Sequence, residues 1–575
     1  MHDLLHRCWP LSTVLALAVL RGSAQDAALP DQNPAPAPAI ASLAPPRPLV
    51  AARLLDTDGD GRVELLLLAR DGTIARQGVD AGRFVARGEH RLAAPTRSLV
   101  TFVDLLPAPG VELVVADPSG TTAFAWTATA TAPIATPLVR RARCTLPLGE
   151  PQLSPFVRDL DRDGRLDVLL PTMNGIAPFV QEAPAADGSL RFRAIDVVPV
   201  PIRTEVTGES GGRDQELVGE LVIPPIRTED LDGDGRPDLL TSEGQKHRFH
   251  LQAADGTFRA PIEVDLEQFV DSTPKATTEL GSTAVLGDRQ LLQRGDVDGD
   301  TIPDYVIAHR RKVWTFLAGK LGPQFTKART QATADDVTAM LVVDLDDDGK
   351  SDLLTFQVQL PGVGALLLGL VQSIDIDIKA VGHRSEQNGF ANTPTWRRTV
   401  TLRIPPLLSL LSRQEELVQR FTDIVGKARL GVRGAFTGPG HLDLALVAPG
   451  GKAIDLFADA GPAPTLDGAR GRRLLRELLF DDPNPLFDLE RVFALLSGLI
   501  DELSSSLIGA AQRTTSLPLR DPEQWRLVEL LAGPLDERPG DELLAVYERV
   551  VATAEPLAGP PLRVFDLVPL PQPAK

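Results

Sequence analysis

The chain has 575 residues, 43% hydrophobic and 24% charged, ordinary globular usage that excludes wholesale disorder and collagen-like repetition. Fifty-nine lysines and arginines against 77 aspartates and glutamates leave a net charge of −18, with no basic block. Such a chain would repel a phosphate backbone, which argues against a nucleic-acid partner.

The N-terminus reads as an export signal over residues 1–24. Arg7 supplies charge, residues 11–20 are short and mostly apolar, and Gly22, Ser23 and Ala24 offer a small-residue cleavage site. The expectation is a secreted or periplasmic protein. The apolar run is shorter than the ~20 residues a spanning helix needs, and no later stretch is long enough, so no membrane span is expected. Of the two cysteines, Cys8 lies in the signal, which leaves Cys144 without an internal disulfide partner. Residues 25–48, with Pro30, Pro34, Pro36, Pro38, Pro45, Pro46 and Pro48 among alanines, read as an extended linker.

One phrase then recurs: DTDGDGRVELLLL from Asp56, DLDRDGRLDVLL from Asp159, DLDGDGRPDLL from Asp230, DVDGDTIPDYVI from Asp296 and DLDDDGKSDLL from Asp344. Three eroded copies, from Asp104, Ala435 and Pro534, keep the punctuation and lose most of the acids. The eight starts lie 48, 55, 71, 66, 48, 91 and 99 positions apart. Each phrase leads into an apolar run, a polar turn and a second run, often with a glycine turn before a phenylalanine such as Phe84, Phe192, Phe258 or Phe325. Turn chemistry every ten residues or so with β-rich runs between is a hairpin pattern. One such sheet leaves an apolar face exposed, and radial stacking buries all of them. The expected fold is all-β: a β-propeller over 49–570 with eight four-stranded blades, seven being the alternative if one eroded copy is an insertion.

Insertions are expected at about 371–428 and 465–515. Leu407, Leu410, Leu411, Leu417, Val418, Phe421, Ile424 and Val425 recur at helical spacing, as do Leu489, Val492, Phe493, Leu496, Leu499, Ile500, Leu503 and Leu507. These are two amphipathic helices in the last blades, packed on each other or on the sheets. Just ahead, Ile374 to Lys379 alternates strictly and predicts a half-buried strand.

In DxDxDGxxD, carboxylates at positions one, three and five aim inward around a turn that the sixth-position glycine permits. A backbone carbonyl at position seven and an acid at position nine complete an oxygen shell that suits Ca²⁺ better than Mg²⁺ or zinc. The ligand candidates are Asp56, Asp58, Asp60 and Glu64; Asp159, Asp161, Asp163 and Asp167; Asp230, Asp232, Asp234 and Asp238; Asp296, Asp298, Asp300 and Asp304; and Asp344, Asp346, Asp348 and Asp352. A plain Asp-Gly turn is the alternative for one copy, but four acids in nine residues repel one another, and the pattern occurs five times. Thr301 replaces the glycine in the fourth intact copy and predicts a strained or weaker site. Five ions would bring the formal charge from −18 to −8. At tenfold saturation each would stabilise the fold by roughly 1.4 kcal/mol. The eroded copies are expected to be metal-free turns.

These loops, with the stretch HRFHLQAADGTFRAPIEV after the copy at Asp230, resemble the FG-GAP/VCBS repeat family, whose blades are similar to those of the integrin α-subunit propeller. The resemblance covers about residues 49–356. It implies a secreted, calcium-stabilised propeller used for adhesion or recognition, with the calcium ligands at the acids just named.

Catalytic signatures are sparse: there is no HExxH. His247 and His250 fall on a predicted strand that points them to opposite faces, and the glycines from Gly362 have the wrong spacing for a nucleotide loop. Arg294, Gly295 and Asp296 spell an integrin-binding tripeptide whose aspartate opens a loop. Tyr305 and Tyr547 are the two tyrosines, and Trp126, Trp314, Trp396 and Trp525 give limited stacking surface for a sugar. The reading is a calcium-binding, non-catalytic binding, adhesion or scaffold protein with an unknown protein or glycan ligand. The alternative is a lectin or a lyase-like carbohydrate-active enzyme on the same scaffold.

Overall fold

In the computed structural model, residues 41–140, 143–186, 188–208, 217–272, 290–359, 368, 371–387, 389–413, 416–417, 420, 430–448, 451–462, 486–509, 511–522, 524–550 and 563–570 are described. The repeats form eight sheets, each with its phrase as the loop between first and second strands. Blade 1 is Leu49–Leu55, Glu64–Ala69, Thr73–Asp80 and Arg83–Arg91. Blade 2 is Leu99–Val103, Glu112–Asp117, Gly120–Ala125 and Ile134–Arg140, with Gln152–Leu153 added parallel to its first strand. Blade 3 is Val157–Arg158, Asp167–Thr172, Gly175–Glu182 and Arg191–Ala194. After the hairpin Arg203–Gly208 and Leu217–Val222, blade 4 is Ile226–Glu229, Asp238–Glu243, Lys246–His250 and Ile262–Asp265. Blade 5 is Leu291–Gly295, Asp304–His309, Lys312–Phe316 and Arg329–Ala332. Blade 6 is Val337–Val343, Asp352–Gln359, Ile374–His383 and Trp396–Ile404, with Leu486–Asp488 parallel at its edge. Blade 7 is Gly431–Gly434, Asp443–Val447, Ala453–Phe457 and Arg513–Pro518. Blade 8 is Trp525–Gly533, Glu542–Arg549, Arg563–Val568 and the N-terminal Ala41–Leu43. The fold is an eight-bladed β-propeller.

Why the second strands read as unbroken apolar runs follows from this arrangement. Alternate side chains of Glu64–Ala69 go to different neighbours: Leu66 and Leu68 pack with Val100, Leu113 and Val115 of blade 2, whereas Leu65 and Leu67 pack with Leu544, Val546 and Phe565 of blade 8. A strand covered on both faces needs apolar residues at every position. Each fully buried leucine contributes about 1.5–3 kcal/mol. Mixed clusters likewise join blades 2 and 3, 3 and 4, 4 and 5, 5 and 6, and 7 and 8.

Among the described residues no apolar cluster joins blades 6 and 7 directly. The helix Leu489–Ile508 spans that joint. It starts at the edge strand of blade 6, where Asp488 caps it by accepting the Arg491 N–H (2.8 Å). At its other end Leu507 and Ile508 pack on Leu444, Leu446 and Phe457 of blade 7. Arg433 of blade 7 donates to the Leu507 carbonyl at 2.8 Å. The expected first helix is present as Leu407–Ser412, and Arg420 meets Glu490 at 2.5 Å. Val418, Phe421, Ile424 and Val425 lie outside the described residues, as do residues 1–40 and the run from Gly362 to 367.

Two boundaries are corrected. The stretch 25–48 is not linker throughout, because Ala41–Leu43 pairs antiparallel with Leu567, Asp566 and Phe565 as the outer strand of blade 8. These three residues sit between prolines and retain their N–H groups, which is all an edge strand needs. Nor are 371–428 and 465–515 wholly insertions. Ile374–His383 and Trp396–Ile404 are the third and fourth strands of blade 6, lengthened to ten and nine residues, and Arg513–Pro518 is the outer strand of blade 7. Long strands imitate an insertion when only the spacing of loops is counted.

Ring closure by the N-terminal strand is testable. Ser42 pairs with Asp566 in the strand ladder, and its Oγ donates to the Asp566 carboxylate (2.7 Å). Ser42→Pro removes an N–H and distorts this strand, and a loss of about 2 kcal/mol is expected in denaturant titration; an unchanged midpoint would show that the strand contributes nothing to closure.

Candidate metal centres in the inter-strand loops

The ninth residue of the phrase is acidic in all eight blades, eroded copies included: Glu64, Glu112, Asp167, Asp238, Asp304, Asp352, Asp443 and Glu542. All eight are buried. In seven of the loops its carboxylate accepts the N–H of the loop's second residue, from Thr57 (3.0 Å), Leu105 (2.7 Å), Leu160 (2.8 Å), Leu231 (2.8 Å), Val297 (2.8 Å), Leu345 (3.0 Å) and Leu535 (2.7 Å). Asp443 accepts instead from the third residue, Thr437, at 2.6 Å. Where the residue is aspartate, its other oxygen takes an N–H from the end of the third strand or just past it: Gln181, Gln252, Ala318, Ser385 and Asp459, at 2.7–2.9 Å. The acid therefore clamps its loop to its own blade.

The first acid organises the turn. Asp56 accepts from Gly59 (2.7 Å) and Gly61 (3.0 Å), Asp230 from Gly233 and Gly235 (both 2.8 Å), and Asp296 from Gly299 (2.6 Å) and Thr301 (2.9 Å). Asp159 accepts from Gly164 and Asp344 from Gly349, both at 3.0 Å. The fifth acid accepts the N–H two residues on in every intact loop: Asp60 from Arg62, Asp163 from Arg165, Asp234 from Arg236, Asp300 from Ile302 and Asp348 from Lys350. These are the local Asx bonds of an Asp-Gly turn.

They leave oxygens over. Ligand atoms of Asp56, Asp58 and Glu64, of Asp159, Asp161 and Asp167, of Asp230, Asp232 and Asp234, and of Asp296, Asp298 and Asp300 each lie within 4.8 Å of one another. Buried oxygens without a hydrogen-bond partner occur at Asp58 Oδ1, Asp159 Oδ1 and Asp346 Oδ1. A buried carboxylate oxygen with no donor is costly, and an oxygen cluster of this kind fits a hard divalent cation. Burial, reinforced by the neighbouring acids, pushes up Asp161, Asp232 and Asp298. The same causes outweigh the N–H donors at the ninth position and raise Asp167, Asp238 and Asp352 to about 6 and Asp304 to about 7.

The loops also touch one another. At position eight, the N–H groups of Val63, Val111, Ser351 and Asp541 donate to the position-one carbonyls of Pro534, Asp56, Asp296 and Ala435 in the preceding blade, at 2.8, 2.8, 2.6 and 3.0 Å. Pro237 and Pro303 hold this position in blades 4 and 5 and have no N–H to give. A Cβ on Gly59 would fall 2.5 Å from Pro109 Cβ of the next loop, so only glycine fits there.

Other sequence candidates are accounted for by packing. Tyr305 and Tyr547 are buried between blades. Burial holds His250 down at about 4, on a strand where it and His247 face opposite ways. Arg294 of the tripeptide is 2.8 Å from Glu229 of blade 4. Two features went unread in the sequence: Arg76, buried beside Asp58 and Glu64, and a cluster of His441, Asp443 and Asp459 in blade 7, with His441 Nδ1 2.7 Å from Asp459 Oδ1.

Two substitutions separate clamp from turn. Asp443 lies in an eroded loop, where it holds the Thr437 N–H and Oγ1 and the Asp459 N–H. Asp443→Ala is expected to cost about 2–5 kcal/mol in denaturant titration, with or without chelator, from unsatisfied buried donors; a loss under about 1 kcal/mol would contradict the clamp. Thr301 holds φ at +73°, where the other intact loops have glycine with open space around a Cβ. Thr301→Gly should therefore stabilise the protein by about 1 kcal/mol by relieving a β-branched residue in the left-handed region; a destabilised variant would contradict this.

No family model matches the chain, and no curated protein matches it. Among solved structures it is similar to a lectin from Agrocybe aegerita described as recognising non-reducing terminal N-acetylglucosamine, at 13% identity over 61% of this chain and 80% of that one, with a TM-score of 0.26. It is similar to the WD40 domain of SCAP from fission yeast at 10% identity, over 62% and 77%, with a TM-score of 0.22. AofleA from Arthrobotrys oligospora gives 11% identity over 63% and 92%, with a TM-score of 0.21. Likenesses this loose carry no argument about ligand, and the propeller assignment rests on the eight sheets of this chain.

Proposed function

We propose that the protein is a secreted, calcium-loaded β-propeller that acts as a non-catalytic binding or scaffold protein. The observation that carries the calcium reading is the partnerless, buried Asp159 Oδ1 in a loop whose first, third and ninth carboxylates converge within 4.8 Å. Calcium, when bound, supplies the charge that lets several carboxylates share so small a volume. The acids at positions one and three would hold it together with the fifth or the ninth, and the ninth also keeps the loop curled. Such ions at the strand-one to strand-two turns would stiffen one face of the ring. That suits a chain whose single cysteine beyond residue 24 has no internal partner. The tyrosines' burial supports the non-catalytic part, since neither side chain is placed to act as a base on a polysaccharide.

Differential scanning calorimetry on the purified full chain tests this reading. With millimolar calcium the melting temperature should rise by several degrees over the same sample in EDTA, since each site at tenfold saturation adds about 1.4 kcal/mol, and magnesium at equal concentration should not substitute. Superposed melting curves would contradict calcium binding. Turnover of any polysaccharide in a lyase and hydrolase screen would contradict the non-catalytic reading and favour the carbohydrate-active alternative.

A further inference from the structure

The five intact loops are not equivalent. In blade 1 the guanidinium of Arg76, 2% exposed, reaches Asp58 Oδ2 at 2.8 Å and Glu64 Oε1 at 3.2 Å. It is held from its other side by the ring of Trp126 in blade 2, whose centroid is 5.5 Å away. The strand position that Arg76 occupies opposite Leu66 carries Pro178, Phe249, Thr315 and Gly382 in blades 3 to 6, none of which bears a charge. Among the described residues, the one ion pair to the third acid of those four loops is Arg384 on Asp346, and that arginine is half exposed.

Blade 8 shows what this arrangement is for. Its loop has lost the first and fifth acids, and there Arg538 bridges the third residue, Asp536 (2.7 Å), and the ninth, Glu542 (3.3 Å). Arg76 bridges the same two positions of loop 1. The ninth residue is aspartate in blades 3 to 7 and glutamate in blades 1, 2 and 8, so loop 1 shares its glutamate with two eroded loops. With the longer side chain, Glu64 sends one oxygen to Thr57 and the other to Arg76, where the aspartates take a second backbone N–H.

We infer that loop 1, although its four acids match the full motif, carries its cation covalently: the Arg76 guanidinium stands where the divalent ion stands in blades 3 to 6, and the loop takes no calcium. A fixed positive charge buried against two of the four ligands repels a second cation at close range and occupies the oxygens it would need. Asp58 Oδ1 remains without a partner, yet one free oxygen beside a guanidinium is not a shell. This inference rests on the calcium reading of the other loops, and it lowers the number of sites from five to four.

The test is a metal count on the full chain, by equilibrium dialysis against calcium followed by elemental analysis, with variants in loops 1 and 4. Four equivalents are expected for the parent chain. Asp58→Asn should leave four, Asp232→Asn should leave three, and Arg76→Gln should bind a fifth. Should Arg76→Gln fold poorly, the two aspartate variants still decide. Five equivalents in the parent, falling to four with Asp58→Asn, would overturn this inference and leave the calcium reading standing. No bound calcium in any of the proteins would overturn the calcium reading itself and, with it, the contrast between loop 1 and the rest.

Discussion

A buried carboxylate accepting backbone N–H groups at the mouth of a loop is the interaction on which the rest of this structure depends. It recurs in all eight blades, whether or not the loop keeps its other acids. By pinning the loop's second or third residue to the start of the second strand, it closes the turn into a small ring. In that ring the carboxylates at positions one and three converge with the fifth or the ninth. The energetic logic is that of an internal N-cap: backbone donors that a tight turn would otherwise bury unsatisfied are given a charged acceptor, worth about 1.5–3 kcal/mol per bond.

From that local device the ring is assembled by two longer-range ones. The first is division of the second strand's side chains between two neighbours, at every joint but that of blades 6 and 7, and the second is the N–H to carbonyl bond that ties four of the loops to the preceding one. Closure uses the chain's first described strand against its last. Where blades 6 and 7 meet, the helix Leu489–Ile508 lies across the joint, anchored by Asp488 on one side and by Arg433 and the Leu444, Leu446 and Phe457 face on the other. The helical insertion thus has a structural place, which its apolar stripe alone did not reveal.

Much of the architecture was legible because each repeat carries its own turn chemistry. Glycines at positive φ, aspartates that bond the local backbone and a following apolar run mark a loop and a strand together, and eight such marks correspond to eight sheets. What the sequence concealed has physical reasons. An edge strand of three residues makes little side-chain contact, so Ala41–Leu43 has no hydrophobic signature among its prolines. Long strands such as Ile374–His383 stretch the repeat without breaking it. Arg76 lies on the third strand, 12 residues past the ninth acid, and nothing in its neighbours' composition says that its charge turns inward. The ninth acid's second role as acceptor of backbone N–H groups was hidden, since spacing cannot distinguish an oxygen aimed at a cation from one aimed at an N–H. The eroded loops reveal it, because all three keep that acid while losing most of the others.

Anomalous diffraction from crystals grown in calcium would bear most directly on the division between a clamp present in every blade and a cation site present in only some. The expected result is a peak among the first, third and fifth acids of blades 3 to 6, none in blades 2, 7 and 8, and the ninth carboxylate on its backbone donors in all eight. Peaks in the eroded loops, or a ninth carboxylate swung away from those donors, would contradict it.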